Sequence, residues 1–231
     1  MSDQADMTST SGPAPPAGAS TPDGRLLPTN RLEAFSDGVF AIAITLLVLE
    51  LHVPAPDEPL AAALTSEWPA YLGYFVSFAF IGGSWVAHND LTRLIKAADA
   101  AFLRLNLLFL LFVSLLPFST SLMATHLGDT GERLAVVLFG LNLTLAALMI
   151  DVLLGHAVRT EGLADDAVDE EELRQFEKQR RAALISQAVA TAGAMLLPKV
   201  AVVAFLVVSV VFLVAPLLRA YRRRRRSSRG R

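Results

Sequence analysis

Asp37 is an acid at the rim of an apolar run. The segment reads Arg31-Leu-Glu-Ala-Phe35-Ser36-Asp37-Gly-Val-Phe-Ala-Ile42-Ala-Ile-Thr45-Leu46-Leu-Val-Leu49-Glu50. A carboxylate at the centre of a membrane helix costs about 2.5–3.5 kcal/mol on insertion scales, so it has to face protein or water and find a partner. Such a group can handle cations or protons, or it can clamp one helix to another. Partners are at hand in Ser84-Trp85-Val-Ala-His88-Asn89-Asp90 and in Arg104 and Asn106. A network of Arg31, Ser36, Asp37, His88 and Asn89 would satisfy several costly groups together. An acid near a histidine also suits proton relay or pH sensing.

The same segment carries a second pattern. At about 100° per residue, with Ile42 at zero, Leu46 falls near +40°, Leu49 near −20° and Thr45 near −60°. These four make one stripe about 100° wide. Asp37 falls near −140° and Ser36 near +120°, away from it. A Leu/Ile face of this kind ordinarily meets lipid or another helix; it could also line a pore.

The elements that hold these residues follow from composition. Of 231 residues, 53% are hydrophobic and 18% charged, with a mean hydropathy of +0.48. A soluble domain carries about 25% charge. The excess is gathered into six apolar blocks at about 32–53, 68–87, 100–124, 134–158, 182–197 and 200–218. A bilayer core needs about 20 helical residues, and five blocks reach that length. The fifth is short and can borrow from the helical segment before it. A tight hairpin at Pro198-Lys199 separates the last two. Backbone groups in lipid have to be satisfied internally, so the blocks are helices. The expected fold is all-α, a six-transmembrane-helix integral membrane protein.

Orientation follows from Lys and Arg. With both termini inside, eighteen of the twenty fall on the inner side and only Arg133 and Lys199 outside. Residues 1–30 read as a disordered tail without the apolar core of a secretory signal. The last thirteen residues hold eight arginines. Following directly on a span, they read as an anchor on anionic lipid rather than a nucleic-acid site. The acidic stretch 165–172 reads as a solvated linker, with docking of the basic tail as its alternative. The domain division is a 1–30 tail, a 31–219 six-helix transmembrane bundle and a 220–231 basic tail.

Other classes find less support. The absence of Cys excludes disulfides, thiol catalysis and Cys-held metals. There is no Gly-x-Ser-x-Gly, His-Glu-x-x-His or phosphate loop, so no enzyme and no cofactor are expected. His52, His88, His126 and His156 are scattered, two to each side. No inverted repeat points to a secondary transporter. Asn106, Ser114, Asn142 and Thr144 read as interhelical hydrogen bonders. Asp151 either pairs with a residue such as Arg159 or stays solvated.

Arg31-x-x-x-Phe35-Ser36-Asp37 at the start of an apolar helix, with Trp85, His88 and Asn89 ending the second span, resembles the signature of the transmembrane-protein-175 family of potassium channels, in its bacterial form. The resemblance covers roughly residues 30–218. It implies a channel without a Thr-Val-Gly-Tyr-Gly filter, a string this chain also lacks. It implies a C4 homotetramer in a cell membrane, lined by the first helix. The family's apolar rings and threonine ring carry over to Ile42, Thr45, Leu46 and Leu49, the stripe found from helical angles. The expected function is a potassium-selective or potassium-permeable channel. The alternatives are a proton-permeable or pH-modulated cation channel and a secondary transporter.

Overall fold

Among the described residues the apolar blocks fold into helices, eight α-helices in all. The computed structural model describes residues 28–165 and 170–229; at 172 and 215–229 it describes the backbone alone. The expectations for most of the N-terminal tail, for part of the acidic linker and for the side chains of the arginine tail therefore lie outside the described residues. The helices are α1 Asn30–Leu46, α2 Leu60–Ser66, α3 Trp68–Arg93, α4 Ala100–Ser114, α5 Leu116–His126, α6 Glu132–Arg159, α7 Glu170–Gly193 and α8 Pro198–Arg229. Among the described residues there is no strand, only an isolated bridge between Ile95 and Ala164.

Among the described residues, four columns are long and apolar enough to cross a membrane: Asn30–Glu50, Trp68–Arg93, Ala100–His126 and Glu132–Arg159. α8 adds a shorter apolar stretch, Pro198–Val214. The third column is broken at Leu115, because Pro117 has no amide proton for the carbonyl four residues back and its ring crowds that turn. Pro117 instead opens α5, which continues the column. The chain reverses between Gly193 and Pro198, where α7 ends and α8 begins. Helix α2, in the loop after α1, was not foreseen from the sequence; it has no buried residue.

α6 is the centre of the bundle. It packs against α3, α4, α5, α7 and α8, and its buried face runs from Ala135 through Phe139, Leu143, Ala146 and Ile150 to Ala157. α1 lies at the edge, held chiefly by α3 and α4. Backbone bonds from Lys96 N–H to Leu163 (2.9 Å) and from Asp165 N–H to Leu94 (2.9 Å) join the loop after α3 to the loop after α6 at one end of the bundle. Polar residues inside the spans tie helices together. Asn142 Nδ2 donates to Ser119 Oγ (3.0 Å), Thr144 meets Thr191 (2.9 Å) and Ser77 meets Thr120 (2.6 Å). Ser114 departs from that reading: it is exposed, and its hydroxyl donates to its own helix at Leu111 O.

Close approach of α6, α7 and α8 depends on Gly140. A Cβ there would lie 2.5 Å from Phe205 Cζ and 2.8 Å from Thr191 Oγ1. Gly140→Ala is therefore expected to lose about 1–3 kcal/mol by overpacking. Gly155, on the same helix, has nothing within 4 Å of its Cβ position. There alanine should instead gain about 0.5–1 kcal/mol from helix propensity. Thermal unfolding of the two detergent-purified variants checks the opposite signs.

Candidate functional site

α1 has two faces of different character. Leu32, Ser36, Phe40 and Ala43, then Leu47 in the turn that follows, recur at helical spacing and are buried. The other face shows Asp37, Gly38, Ala41, Ile42, Thr45, Leu46 and Leu49. Ile42 is 61% exposed and Leu49 74%. Only 28% of this column's apolar window is buried, against 44–50% for the other three.

The helix tightens at its end. Leu47–Glu50 form a 3-10 turn. Such a turn advances about 120° per residue, which moves Leu49 from about −20° to about +40°, in line with Leu46. Ile42, Thr45, Leu46 and Leu49 thus share the exposed face. The Thr45 hydroxyl lies 3.0 Å from Ala41 O and 2.9 Å from Ile42 O, so its proton is given to its own helix. Its oxygen lone pairs remain free on the exposed side.

The polar pair divides. Ser36 is fully buried and Asp37 is exposed. Ser36 Oγ accepts from Asn106 Nδ2 (3.0 Å), and Asn106 Oδ1 lies 2.9 Å from His88 Nε2. An amide oxygen can only accept, so Nε2 carries the proton of that bond. The His88 ring stacks on Phe109 with centroids 5.8 Å apart and an interplanar angle of 10°. Phe40 meets its edge at 5.8 Å. Three helices therefore meet in a single cluster: Ser36 and Phe40 from α1, His88 from α3, Asn106 and Phe109 from α4. Trp85 Nε1 donates to Asp37 Oδ1 (2.9 Å) and closes the outer side of the same seam.

Of the residues singled out in the sequence, Ser36, Asp37, Trp85 and His88 come together. Arg31 and Phe35 are exposed and Asn89 is half-buried. Among the described residues none of these three side chains hydrogen-bonds into the cluster; Asn89 gives only its carbonyl, to Thr92 Oγ1. Asn106 is the hub, placed among the partners by its position yet left out of the five-residue network. Phe40 and Phe109 were missed. The signal was present as a polar residue followed by an aromatic one helical turn later, Ser36 to Phe40 and Asn106 to Phe109. Asp151 lines a cleft of about 470 Å³ with His156, Arg159, Glu177 and Arg181.

At the end of the bundle that carries the loop bridge, Asp99 caps α4. Its carboxylate accepts from Phe102 N–H (2.7 Å), and both its oxygens lie 3.0 Å from His156 Nε2. Burial works against the charged carboxylate. The Phe102 amide, the His156 side chain and the Ala101 amide outweigh it and hold the pKa below the ordinary value. A carboxylate with a depressed folded pKa stabilises above its unfolded pKa and loses that contribution as pH falls through the folded one. Asp99→Ala is thus expected to cost about 1 kcal/mol, typical of a lost cap. The gap to the parent protein should persist from neutral pH down to about 4. Below that it should close. Unfolding curves of both proteins across pH provide the check.

Comparison with known proteins places these features. The family model described as endosomal/lysosomal potassium channel TMEM175 matches residues 31–117, which hold α1, α3, α4 and the whole seam. A Streptomyces collinus protein named as a potassium channel is 42% identical over 144 residues, covering 61% of this chain and 70% of that one. The human endosomal/lysosomal proton channel TMEM175 is 42% identical over 123 residues, covering 48% of this chain and 24% of that longer one. The crystal structure of a lysosomal potassium-selective channel TMEM175 homolog from Chamaesiphon minutus superposes with a TM-score of 0.73 at 36% identity, covering 81% of this chain and 97% of that chain. With its all-α membrane fold and this level of identity over most of a relative's length, the chain belongs to the TMEM175 family.

Proposed function

We propose that the chain is a potassium-permeable channel of a cell membrane, in which four copies gather α1 around a common axis. The exposed face of α1 carries this reading. A span that faced only lipid would have no use for a glycine and a free threonine oxygen along the same surface as Ile42, Leu46 and Leu49. In the tetramer, Ile42, Leu46 and Leu49 stack as apolar rings, and such necks gate by dewetting. A cation that crosses sheds part of its water. Potassium holds water less tightly than sodium, so a tight ring penalises sodium more, and the four Thr45 oxygens replace some of what is lost. Few oxygens line the path, so selectivity is modest. The protein acts without catalysis or cofactor. Six helical columns cross the bilayer with both termini inside, and the arginine tail rests on anionic lipid rather than nucleic acid.

Reconstitution in liposomes tests this. A potassium gradient should drive flux several-fold faster than an equal sodium gradient. Equal rates would remove the selectivity mechanism, and electrically silent protein would remove the channel. A second reading, pH-modulated or proton-permeable conduction, is favoured by the burial of His88 between α1 and α4 and by the name of the human relative. It requires that flux change with pH and that His88→Ala alter this change. Indifference to both would dismiss it.

A further inference from the structure

On the far side of α3 from the α1 seam, a small cavity of about 30 Å³ lies between α3, α6, α7 and α8. Its polar lining is Ser84, Arg180, Gln187 and Ser209, set among Ala147, Phe212 and other apolar side chains. Arg180 is 7% exposed, Gln187 1% and Ser209 4%. Arg180 Nε, both amide atoms of Gln187 and Ser209 Oγ have no hydrogen-bond partner among the described residues. Four orphaned atoms in one lining are unusual, because each buried polar group left unmade costs as much as a lost hydrogen bond. Three of the four are donors, and one is part of a guanidinium that stays charged at any ordinary pH.

The nearest opposite charge stands outside the cavity. Asp151, one helical turn along α6 from the cavity residue Ala147, acts on Arg180 electrostatically. Yet Asp151 opens into the cleft that also holds Arg159, Arg181 and Glu177. Asp151 is thus shared between Arg180 and the basic groups of that cleft. Arg180 feels Asp151 only at a distance: among the described residues no ion pair or hydrogen bond joins the two. Water would satisfy the donors; an anion would satisfy them and also place a negative charge in direct contact with the guanidinium, where Asp151 does not reach.

We propose that this cavity binds one small inorganic anion of halide size, with chloride as its natural occupant. The donors Arg180 Nε, Gln187 Nε2, Ser209 Oγ and Ser84 Oγ surround it. Size sets the class. About 10–15 Å³ of such space holds one water, so 30 Å³ admits a halide or two waters and excludes a phosphate or a lipid headgroup. The bound anion would fasten the α7–α8 hairpin to α3, the helix whose other side carries Trp85 and His88.

Crystals of the full chain soaked in bromide should show an anomalous peak within hydrogen-bond distance of Arg180 and Gln187. In detergent, replacing sodium gluconate by sodium chloride at constant ionic strength should raise the unfolding midpoint saturably, by a few degrees. Gln187→Leu should abolish that rise while leaving the midpoint in gluconate close to that of the parent. Absence of the bromide peak overturns the proposal whatever the midpoints do, because the cavity then holds water. A peak with a midpoint indifferent to chloride overturns the fastening role.

Discussion

Replacing Ile42 by Asn raises potassium flux through reconstituted protein about tenfold or more and brings the sodium rate up toward the potassium rate. The size follows from barrier height. A barrier lowered by only about 1.4 kcal/mol multiplies a rate by ten. Four branched apolar side chains around an axis repel water, and four amides in their place donate and accept hydrogen bonds, so the neck stays wet. The ion then crosses with its shell intact. That removes the penalty sodium paid for losing water, and discrimination falls as conductance rises. Local disruption is separated from this effect by a control on α4. Leu107 is 55% exposed and faces away from the seam, so Leu107→Asn should leave flux unchanged. Equal flux from Ile42→Asn and the parent at matched protein density would mean that α1 does not border the conducting path.

The fold class was legible because hydrocarbon permits few solutions. Apolar blocks of span length have to be helices, and the residues that interrupt them, Pro117 and Pro198, mark where the helices break or begin. The stripe on α1 was legible for the same reason. Its angular spacing is fixed by helix geometry, and only the 3-10 turn at Leu47–Glu50 shifted Leu49 by part of a turn. The partners of Ser36 and Asp37 were less so. Hydropathy says that a polar group in a span needs company; it does not say which of several neighbours provides it. Arg31 and Asn89 had suitable chemistry and suitable depth. Which side chain reaches Ser36 depends on how far α4 is rotated, and that rotation is set by Phe102, Phe109 and Val113, which are fully buried. The orphaned cluster around Arg180 was illegible for a related reason. A charge near the start of a span looks like an interfacial residue until the packing of α3 and α8 is known to enclose it.

The largest stability effect is expected at Asn106. Asn106→Leu keeps the branch at Cγ, though in a bulkier side chain, and strips two buried groups of their partner, Ser36 Oγ at 3.0 Å and His88 Nε2 at 2.9 Å. A buried polar group left unpaired costs about 1–3 kcal/mol. The Ser36 hydroxyl can turn back to a carbonyl of its own helix and recover part of this. His88 has no such escape, since its ring is fixed between Phe109 and Phe40. The loss should total about 2–4 kcal/mol, a fall in the unfolding midpoint on the order of 10 °C. If the loss arises from stranded polar groups and not from the shape of leucine, removing the second partner must give stability back. His88→Phe keeps the stacked ring and deletes the orphan. The double variant Asn106→Leu with His88→Phe should therefore be more stable than Asn106→Leu alone, with a coupling of about 1–3 kcal/mol. Simple additivity of the two losses would refute the hub and reduce Asn106 to a packing residue. The same double variant reaches the channel question. Asn106 is the group that bonds α1 to α4 at Ser36, and the apolar rings sit on the other face of that helix. If holding α1 in register depends on this bond, the double variant regains stability yet still conducts with altered selectivity, because apolar contact restores the fold without fixing the rotation of α1.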